Sequence, residues 1–170
     1  MVDQVQQLLD RLPEGPVALI GSSLGGFVAV QVAIRRAIDR MILLAPAIDF
    51  SGNRLREIGD RGVDQWERTG ELNVFHYGFG RIMPVHYGLY TDACDYDCIS
   101  ASLSMPIQIF RGRRDTAVSP ESVERWAESR PNVELHLLDD DHQLTGSLDT
   151  IWQNAERFLF PRSDHQQMPE

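Results

Sequence analysis

Apolar residues follow two spacings along this chain, and the two spacings alternate. Short continuous apolar runs, typical of strands buried on both faces, lie at residues 16–20, 41–45, 106–110 and 133–138. Apolar residues at helical spacing predict amphipathic helices at 2–12, 24–36, 120–127 and 148–159. Strands that alternate with helices predict a mostly parallel sheet with helices on both faces, so the expected fold class is α/β.

Residues 48–105 interrupt this alternation. Two apolar runs at 72–77 and 85–90 flank a glycine-rich turn in this stretch, which is the pattern of a β-hairpin. We therefore expect one domain over residues 1–160, into which 48–105 is inserted as a cap, and a flexible polar tail over 161–170. A chain of 170 residues, 42% of them hydrophobic, suffices for one core.

The net charge of the chain limits the classes of partner and substrate that it is expected to bind. Its formal net charge is -9, from 25 acidic and 16 basic residues, which disfavours nucleic acid and anionic membrane surfaces and favours small neutral or apolar substrates. The apolar runs are far shorter than the roughly 20 residues of a transmembrane helix. The N-terminus has neither the basic nor the apolar region of a signal peptide, so the sequence predicts a cytoplasmic protein without a membrane span.

Cysteines contribute little to the chemistry that the sequence predicts. The chain has two, Cys94 and Cys98, and metal sites normally need more ligands than that. We expect free thiols in a reducing compartment, with a local disulfide or redox pair as the alternative. No pattern in the chain indicates a metal or an organic cofactor.

The segment 21–25, Gly-Ser-Ser-Leu-Gly, matches the nucleophile elbow G-x-S-x-G, and it lies between a predicted buried strand and a predicted helix, as that motif requires. The sharp turn strains the backbone, and glycines two residues either side of Ser23 remove Cβ atoms that would clash. Ser22 is a rival by residue type, but the central position belongs to Ser23. The turn also aims the Leu24 N–H and the positive end of the helix at the place where an oxyanion would form.

A glycine-rich turn between a strand and a helix can also serve packing alone or bind a phosphate. A phosphate loop of the P-loop type has a lysine in the turn, and a dinucleotide site has G-x-G-x-x-G with an acid about 20 residues further on. Neither pattern occurs at this turn, so a nucleophilic serine is favoured.

A serine nucleophile needs a base within hydrogen-bond reach and a third group that orients the base. Asp115 follows the third predicted strand and His142 follows the fourth, so both lie at the carboxyl edge of the expected sheet, where functional groups collect. The acidic run at 139–141 competes for the third role, but it is too close to His142 in sequence to reach the ring freely. We expect that run to be a solvated loop.

Other polar and aromatic residues are weaker candidates for the catalytic or substrate-binding site. We expect structural or solvated roles for the remaining histidines, His76, His86, His136 and His165. Three arginines either attract a substrate carboxylate or are solvated loop residues that pair with nearby acids: Arg111, Arg113 and Arg114. The aromatic residues of the expected cap either line a substrate pocket or pack among themselves. They are Trp66, Phe75, Tyr77, Phe79, Tyr87 and Tyr90.

Several segments together resemble the α/β-hydrolase superfamily, namely 21–26, 44–47, 111–115 with 118–120, and 141–144. Within it, the chain is similar to the small bacterial esterases of the YqiA-like branch and to acyl-protein or acyl-glucuronide esterases. The resemblance runs from about residue 17 to residue 159. It implies a triad of Ser23, Asp115 and His142, and hydrolysis of a carboxylic ester or thioester through an acyl-enzyme.

The chain departs from the superfamily at its N-terminus. Members begin with additional strands, and a loop after the third of them, often with His-Gly, supplies a second oxyanion N–H. No candidate for that loop lies upstream of residue 16, so the expected fold is an α/β-hydrolase truncated at its N-terminus, as in a fragment or a mis-started reading frame. The strand at 16–20 would then be an unprotected edge, through which two copies could pair as a homodimer.

Two hypotheses for function follow. The first is a serine hydrolase that acts on a small-molecule acyl ester or thioester, with Ser23, His142 and Asp115 as the triad and the Leu24 N–H in the oxyanion hole. The second is a catalytically weak binding or assembly module with the same fold, because the loss of one oxyanion donor lowers the rate by about 100- to 1000-fold.

Overall fold

The computed structural model of the chain describes residues 1–161, without the side chains of residues 53–56 and 77. The tail predicted over 161–170 lies, apart from its first residue, outside the described residues. The helices are α1 (Val2–Leu9), α2 (Leu24–Arg35), α3 (Phe50–Thr69), α4 (Tyr87–Cys94), α5 (Pro120–Glu128) and α6 (Leu148–Leu159). The strands are β1 (Ala18–Ser22), β2 (Arg40–Leu44), β3 (Glu71–His76), β4 (Arg81–His86), β5 (Ile107–Gly112) and β6 (Val133–Leu138).

Four of the strands form a parallel sheet in the order β1-β2-β5-β6. Each of the four lies within two residues of an apolar run, so the strands predicted from the sequence are confirmed. Helix α2 joins β1 to β2, and α5 joins β5 to β6, because parallel neighbours need a crossover. The fold class is α/β, as the sequence predicts.

The two faces of this sheet carry two separate cores. On one face, Leu43 and Ile109 are completely buried and pack with α1, α2 and α5. On the other face, Ile42 and Phe110 pack with Ile151 of α6. Continuous apolar runs predict this arrangement, since successive side chains of a strand point to opposite faces. No helix among the described residues combines the length and the apolar character needed to cross a bilayer.

Strand β1 lies at the edge of the sheet and pairs, within the described range, with β2 alone. Ile20 lies opposite Ile42 in this pairing, yet Ile20 is 58% exposed whereas Ile42 is 1% exposed. The strand contains neither a charged residue nor a proline, the residues with which proteins commonly protect a sheet edge.

Residues 48–105 contain α3, a hairpin and α4, outside the main sheet. Strands β3 and β4 pair antiparallel around a 3-10 turn at Tyr77–Phe79, so the predicted hairpin is confirmed. The prediction of its second arm at 85–90 is wrong, because β4 ends at His86 and α4 follows. The His86 side chain accepts a hydrogen bond from the Gly88 N–H at 3.0 Å, which caps that helix and ends the strand.

Helix α3 has no counterpart among the elements predicted from the sequence. Gly59, at a φ of 65°, breaks it internally, and Gly70, at a φ of 77°, ends it in the left-handed conformation that favours glycine. Trp66 is the buried anchor of this helix, and its indole N–H donates to the Val85 carbonyl at 2.9 Å. That hydrogen bond ties α3 to the hairpin.

The two cysteines are free thiols in different surroundings. Cys94 is exposed at the end of α4, whereas Cys98 is buried against α2, where the Gln31 side-chain amide donates to its sulfur at 3.2 Å. Burial raises the pKa of Cys98 to about 12, although the Gln31 hydrogen bond acts in the opposite direction. Cys98 therefore contributes packing rather than a reactive thiolate.

Candidate active site

Ser23 lies in the sharp turn between β1 and α2, with a φ of 51° and a ψ of -118°. Such a conformation costs a non-glycine residue about 1–3 kcal/mol and persists only where the surroundings hold it. The Ser23 N–H donates to the Leu44 carbonyl at 2.8 Å, and the Ala47 N–H donates to the Ser23 carbonyl at 3.0 Å. Leu44, the last residue of β2, and Ala47 just beyond it thus hold both sides of Ser23, whose strained conformation is the one that the elbow motif predicts.

The close contacts that require glycine around Ser23 lie at other positions than predicted. A Cβ on Gly21 would lie 2.4 Å from the Gly25 carbonyl oxygen, so that glycine is required. A Cβ on Gly25 would meet nothing within 4 Å, and the prediction that Gly25 also prevents a clash is wrong. The close approach on the helix side falls one residue later, because a Cβ on Gly26 would lie 2.6 Å from the Pro46 Cβ.

The structure brings together the three side chains that the sequence singles out. His142 Nε2 lies 3.0 Å from Ser23 Oγ, and His142 Nδ1 lies 2.9 Å from Asp115 Oδ2. An ionised Asp115 can only accept, so Nδ1 carries the ring proton and Nε2 accepts from the serine hydroxyl. The hydrogen-bonded chain therefore leaves an unprotonated nitrogen beside the hydroxyl, which is the arrangement of a general base and its nucleophile.

Asp115 is buried, and its surroundings keep it ionised. Burial by itself would raise its pKa, but the hydrogen bond and charge of His142 and the N–H groups of Ala117 and Val118 lower it, and the pKa lies below its usual range. Those N–H groups donate to Oδ1 at 2.8 and 3.2 Å, while Oδ2 accepts from His142. The two oxygens are thus assigned separate partners, which fixes the carboxylate plane.

The loop that carries His142 depends on Asp140. Asp140 is 7% exposed, so the prediction that the whole run 139–141 is solvated is wrong for this residue. The reason is that the Asp140 carboxylate accepts hydrogen bonds from the backbone of the loop. The Asp141 N–H donates to Asp140 Oδ1 at 2.8 Å, and the Arg114 N–H donates to the Asp140 carbonyl at 2.9 Å. The Asp141 N–H, together with the Ser147 hydroxyl and the Gly146 N–H, holds the pKa of Asp140 below its usual range.

The turn after β5 and the His142 loop are in close contact. A Cβ on Gly112 would lie 2.3 Å from the Asp141 carbonyl oxygen and 2.4 Å from the Asp140 carbonyl oxygen. Glycine at this position therefore lets the backbone that precedes Asp115 approach the backbone that precedes His142.

A cavity of about 530 Å³ opens beside Ser23 and His142. The core contributes Leu24, Ala47 and Val118, and the cap contributes Phe50, Val74, Val85 and Leu89. Most of the lining is apolar, which suits a ligand whose bound part is apolar. Leu24 is the first residue of α2, so its backbone N–H lies at the positive end of that helix, next to Ser23.

The aromatic residues of the cap have both of the roles considered for them. Trp66 and Phe75 line the cavity. Tyr87 and Tyr90 instead pack against the Trp66 ring, with centroid distances of 5.7 and 5.6 Å. Phe79 is exposed at the hairpin turn, and the side chain of Tyr77 lies outside the described ones.

The remaining histidines and arginines also have defined places. His136 stacks on Phe110, with ring centroids 4.6 Å apart, and His86 caps α4, so both are structural as expected. His76 lines the cavity, a position that sequence reasoning missed because the strand pattern does not show which face of the hairpin covers the site. His165 lies outside the described residues.

Two of the three arginines pair with acids instead of entering the cavity. Arg111 is buried and lies 3.6 Å from Glu124, and Arg114 pairs with Asp139. The predicted pairing with acids therefore holds for both, but the prediction of a solvated loop residue is wrong for Arg111, which is buried in β5. In the part of the chain that the structure describes, no group of three or more potential ligands could hold a metal ion.

Comparison with solved structures identifies the fold of this architecture. A putative hydrolase from Agrobacterium vitis S4 is 24% identical, with a TM-score of 0.78, over 92% of this chain and 66% of that one. The α/β hydrolase domain-containing protein 10 from mouse is 23% identical, with a TM-score of 0.77, over 92% of this chain and 68% of that one. The chain therefore has the α/β-hydrolase fold.

Within that class, the chain belongs to UPF0227, an uncharacterised protein family, which matches residues 1–159. A segment of 61 residues is also 39% identical to the lipase LipV of Mycobacterium tuberculosis, and it covers 35% of this chain and 23% of the lipase. The chain thus spans about two thirds of the two solved structures, and the segment shared with the lipase is about a quarter of that protein.

Proposed function

We propose that this protein hydrolyses carboxylic esters or thioesters through an acyl-enzyme formed on Ser23. The observation that carries the proposal is the hydrogen-bonded chain from Ser23 Oγ through His142 to the buried carboxylate of Asp115, at the mouth of an apolar cavity. The similarity to a lipase and to proteins of the α/β-hydrolase fold supports the same class of reaction.

In the first half of the reaction, Ser23 Oγ attacks the acyl carbon while His142 Nε2 takes the hydroxyl proton. Asp115 holds the ring in the required tautomer and stabilises the imidazolium that forms. The tetrahedral intermediate then collapses, and His142 returns the proton to the departing alcohol or thiol, which leaves the acyl group on the serine.

In the second half, His142 takes a proton from water as the water oxygen adds to the acyl carbon. Collapse of the second intermediate releases the carboxylic acid, and the proton returns to Ser23. In both intermediates the negative oxygen faces the start of α2, so we assign the Leu24 N–H as an oxyanion donor.

The cavity favours substrates with an apolar acyl part. Its lining includes Val74 and Val85 of the hairpin and Leu24 and Val118 of the core, and such a surface binds hydrocarbon rather than charged groups. We therefore expect neutral acyl esters and thioesters to react faster than esters whose acyl part carries a carboxylate.

Labelling with a fluorophosphonate, which reacts with activated serines, tests the proposal. Intact mass should show one adduct on the wild-type chain and on Ser22→Ala, and none on Ser23→Ala or His142→Ala. Ser22→Ala is the matched control because it removes the neighbouring hydroxyl and leaves the hydrogen-bonded chain intact. Well-folded wild-type protein that takes no label would contradict the proposal and favour a binding or assembly module.

We also propose that two copies associate through β1. Its outer edge has no partner within the described residues, and Ile20 presents an exposed apolar side chain beside it. Light scattering after gel filtration should then give a dimer for the wild type and for the control Ile34→Lys, whose site is exposed on α2, but a monomer for Ile20→Lys. A monomeric wild type would contradict this assignment.

A further inference from the structure

We propose that the tip of the β3–β4 hairpin docks on a zwitterionic lipid surface and delivers acyl chains to the cavity; the delivery step rests on the proposed function. Three large apolar side chains at the end of the hairpin, here called the hairpin tip patch, are exposed: Phe75 at 53%, Phe79 at 64% and Ile82 at 67%. Phe75 and Ile82 share one face, and Phe79 lies at the turn, where its ring centre is 4.6 Å from that of His76. They lie within one short hairpin, and apolar side chains concentrated in this way commonly mark an interaction site.

The two faces of the hairpin have different surroundings. Phe75 lies directly opposite Ile82 in the antiparallel register, so these two side chains share one face. Val74 and Val85 belong to the other face, where they are half-buried and line the cavity. A ribbon that covers a cavity with one face normally has polar residues on the other. Burial of the hairpin therefore does not explain Ile82, and the cavity accounts only for the part of Phe75 that lines it, since Phe75 is still 53% exposed.

The charge of the tip matches a lipid headgroup region. Arg81 is the single formally charged residue between 75 and 82, and its guanidinium lies 5.8 Å from the centre of the Phe79 ring. Aromatic and aliphatic side chains that enter the acyl boundary beside one cation that reaches the phosphates are typical of segments that lie in a membrane interface. The net charge of -9 disfavours a strongly anionic surface, so the matching lipid is a zwitterionic one.

The patch is continuous with the cavity, and this continuity favours lipid over a second protein. Phe75 lines the cavity and is also half exposed, while His76 and Gly78 at the tip line the same space. An acyl chain leaving a lipid surface would therefore pass from the patch into the cavity without crossing water. A protein partner seated on the same residues would cover this end of the cavity.

Vesicle binding tests the proposal without requiring turnover. Ser23→Ala protein is sedimented with phosphatidylcholine vesicles, alone and with Phe79→Ser and Ile82→Ser added, two residues that do not line the cavity. We expect the added pair to weaken partitioning by about tenfold or more, since each removes one large side chain from the interface. The control is Trp152→Ser, because Trp152 is equally exposed, at 59%, but lies on α6; it should leave partitioning unchanged.

Three results would overturn the proposal. They are no sedimentation of the parent protein, an equal loss in the Trp152→Ser control, and a change of oligomeric state in place of vesicle binding when Phe79 and Ile82 are replaced. Circular dichroism and thermal melting verify that each variant is folded.

With Ser23 restored, the Phe79→Ser and Ile82→Ser protein should hydrolyse soluble p-nitrophenyl butyrate normally but lose rate on vesicle-embedded esters. Absence of all hydrolysis would count against the proposed function alone, because vesicle binding is measured separately.

Discussion

Replacing Gly112 with alanine should move the loop that carries His142 away from Ser23 and break the hydrogen bond between the two side chains. The added Cβ would lie 2.3 Å from the Asp141 carbonyl oxygen, and ordinary contact begins near 3.4 Å, so the backbone next to His142 has to retreat by about 1 Å. His142 Nε2 is 3.0 Å from Ser23 Oγ, and a retreat of that size breaks the hydrogen bond. A misplacement of about 1 Å lowers the rate of an enzyme roughly 100-fold.

The assay is kcat/KM for a soluble p-nitrophenyl ester, with thermal unfolding in parallel. We expect Gly112→Ala to lose about 100-fold in kcat/KM and about 1–3 kcal/mol of stability through overpacking. Gly25→Ala is the matched control, since its Cβ would meet nothing within 4 Å, and its rate should stay within about threefold of the wild type. A folded Gly112→Ala enzyme with the wild-type rate would refute the reasoning.

Three further predictions concern buried groups. Because the pKa of Asp115 is lowered, its ionised form stabilises the fold above the ordinary carboxyl pKa of about 3.9, and that stability is lost as the pH falls through the lowered value. The difference in unfolding free energy between the wild type and Asp115→Asn, measured by denaturant titration, should therefore be constant above about pH 4 and shrink as the pH falls below it; a difference that stays constant would contradict this. At pH 8, Ellman's reagent should modify Cys94 rapidly and Cys98 only after denaturation; equal rates would contradict the burial of Cys98. Asp140→Ala should lower kcat and reduce the free energy of unfolding by about 1–3 kcal/mol, whereas Asp139→Ala, at an exposed site, should change neither.

The sequence predicts the two central strands of the main sheet, β2 and β5, well because both faces of each are buried. A run such as 106–110 has no other stable place than the middle of a covered sheet, and β5 is buried at every position. The elbow is equally readable, since Gly21 has a local steric reason to be glycine and the spacing of the motif places Ser23 in the sharp turn. Local requirements of this kind appear directly in the sequence.

The cap is harder to predict because its elements are fixed by long-range contacts. Helix α3 is polar overall and broken at Gly59, and its stability depends on Trp66, which contacts a strand far along the chain. The switch from strand to helix after His86 likewise depends on a side-chain cap rather than on apolar spacing. Propensity alone does not contain this information.

Within the candidate site, the sequence identifies residues by type and position but not by burial. The acidic run 139–141 shows three equivalent carboxylates, and the fold alone determines that Asp140 is buried while its neighbours are exposed. His76 was missed for a related reason, since a hairpin pattern does not tell which face covers the cavity.

Trapping of the covalent intermediate tests the central claim most directly. The wild-type chain is mixed with a p-nitrophenyl ester, quenched in acid within the first turnover, and analysed by intact and peptide mass. An acyl group on the peptide that contains Ser23, released together with a burst of nitrophenol and absent from Ser23→Ala, is the predicted result. Turnover that persists in Ser23→Ala, or an acyl group on another residue, would contradict the assignment of Ser23 as the nucleophile.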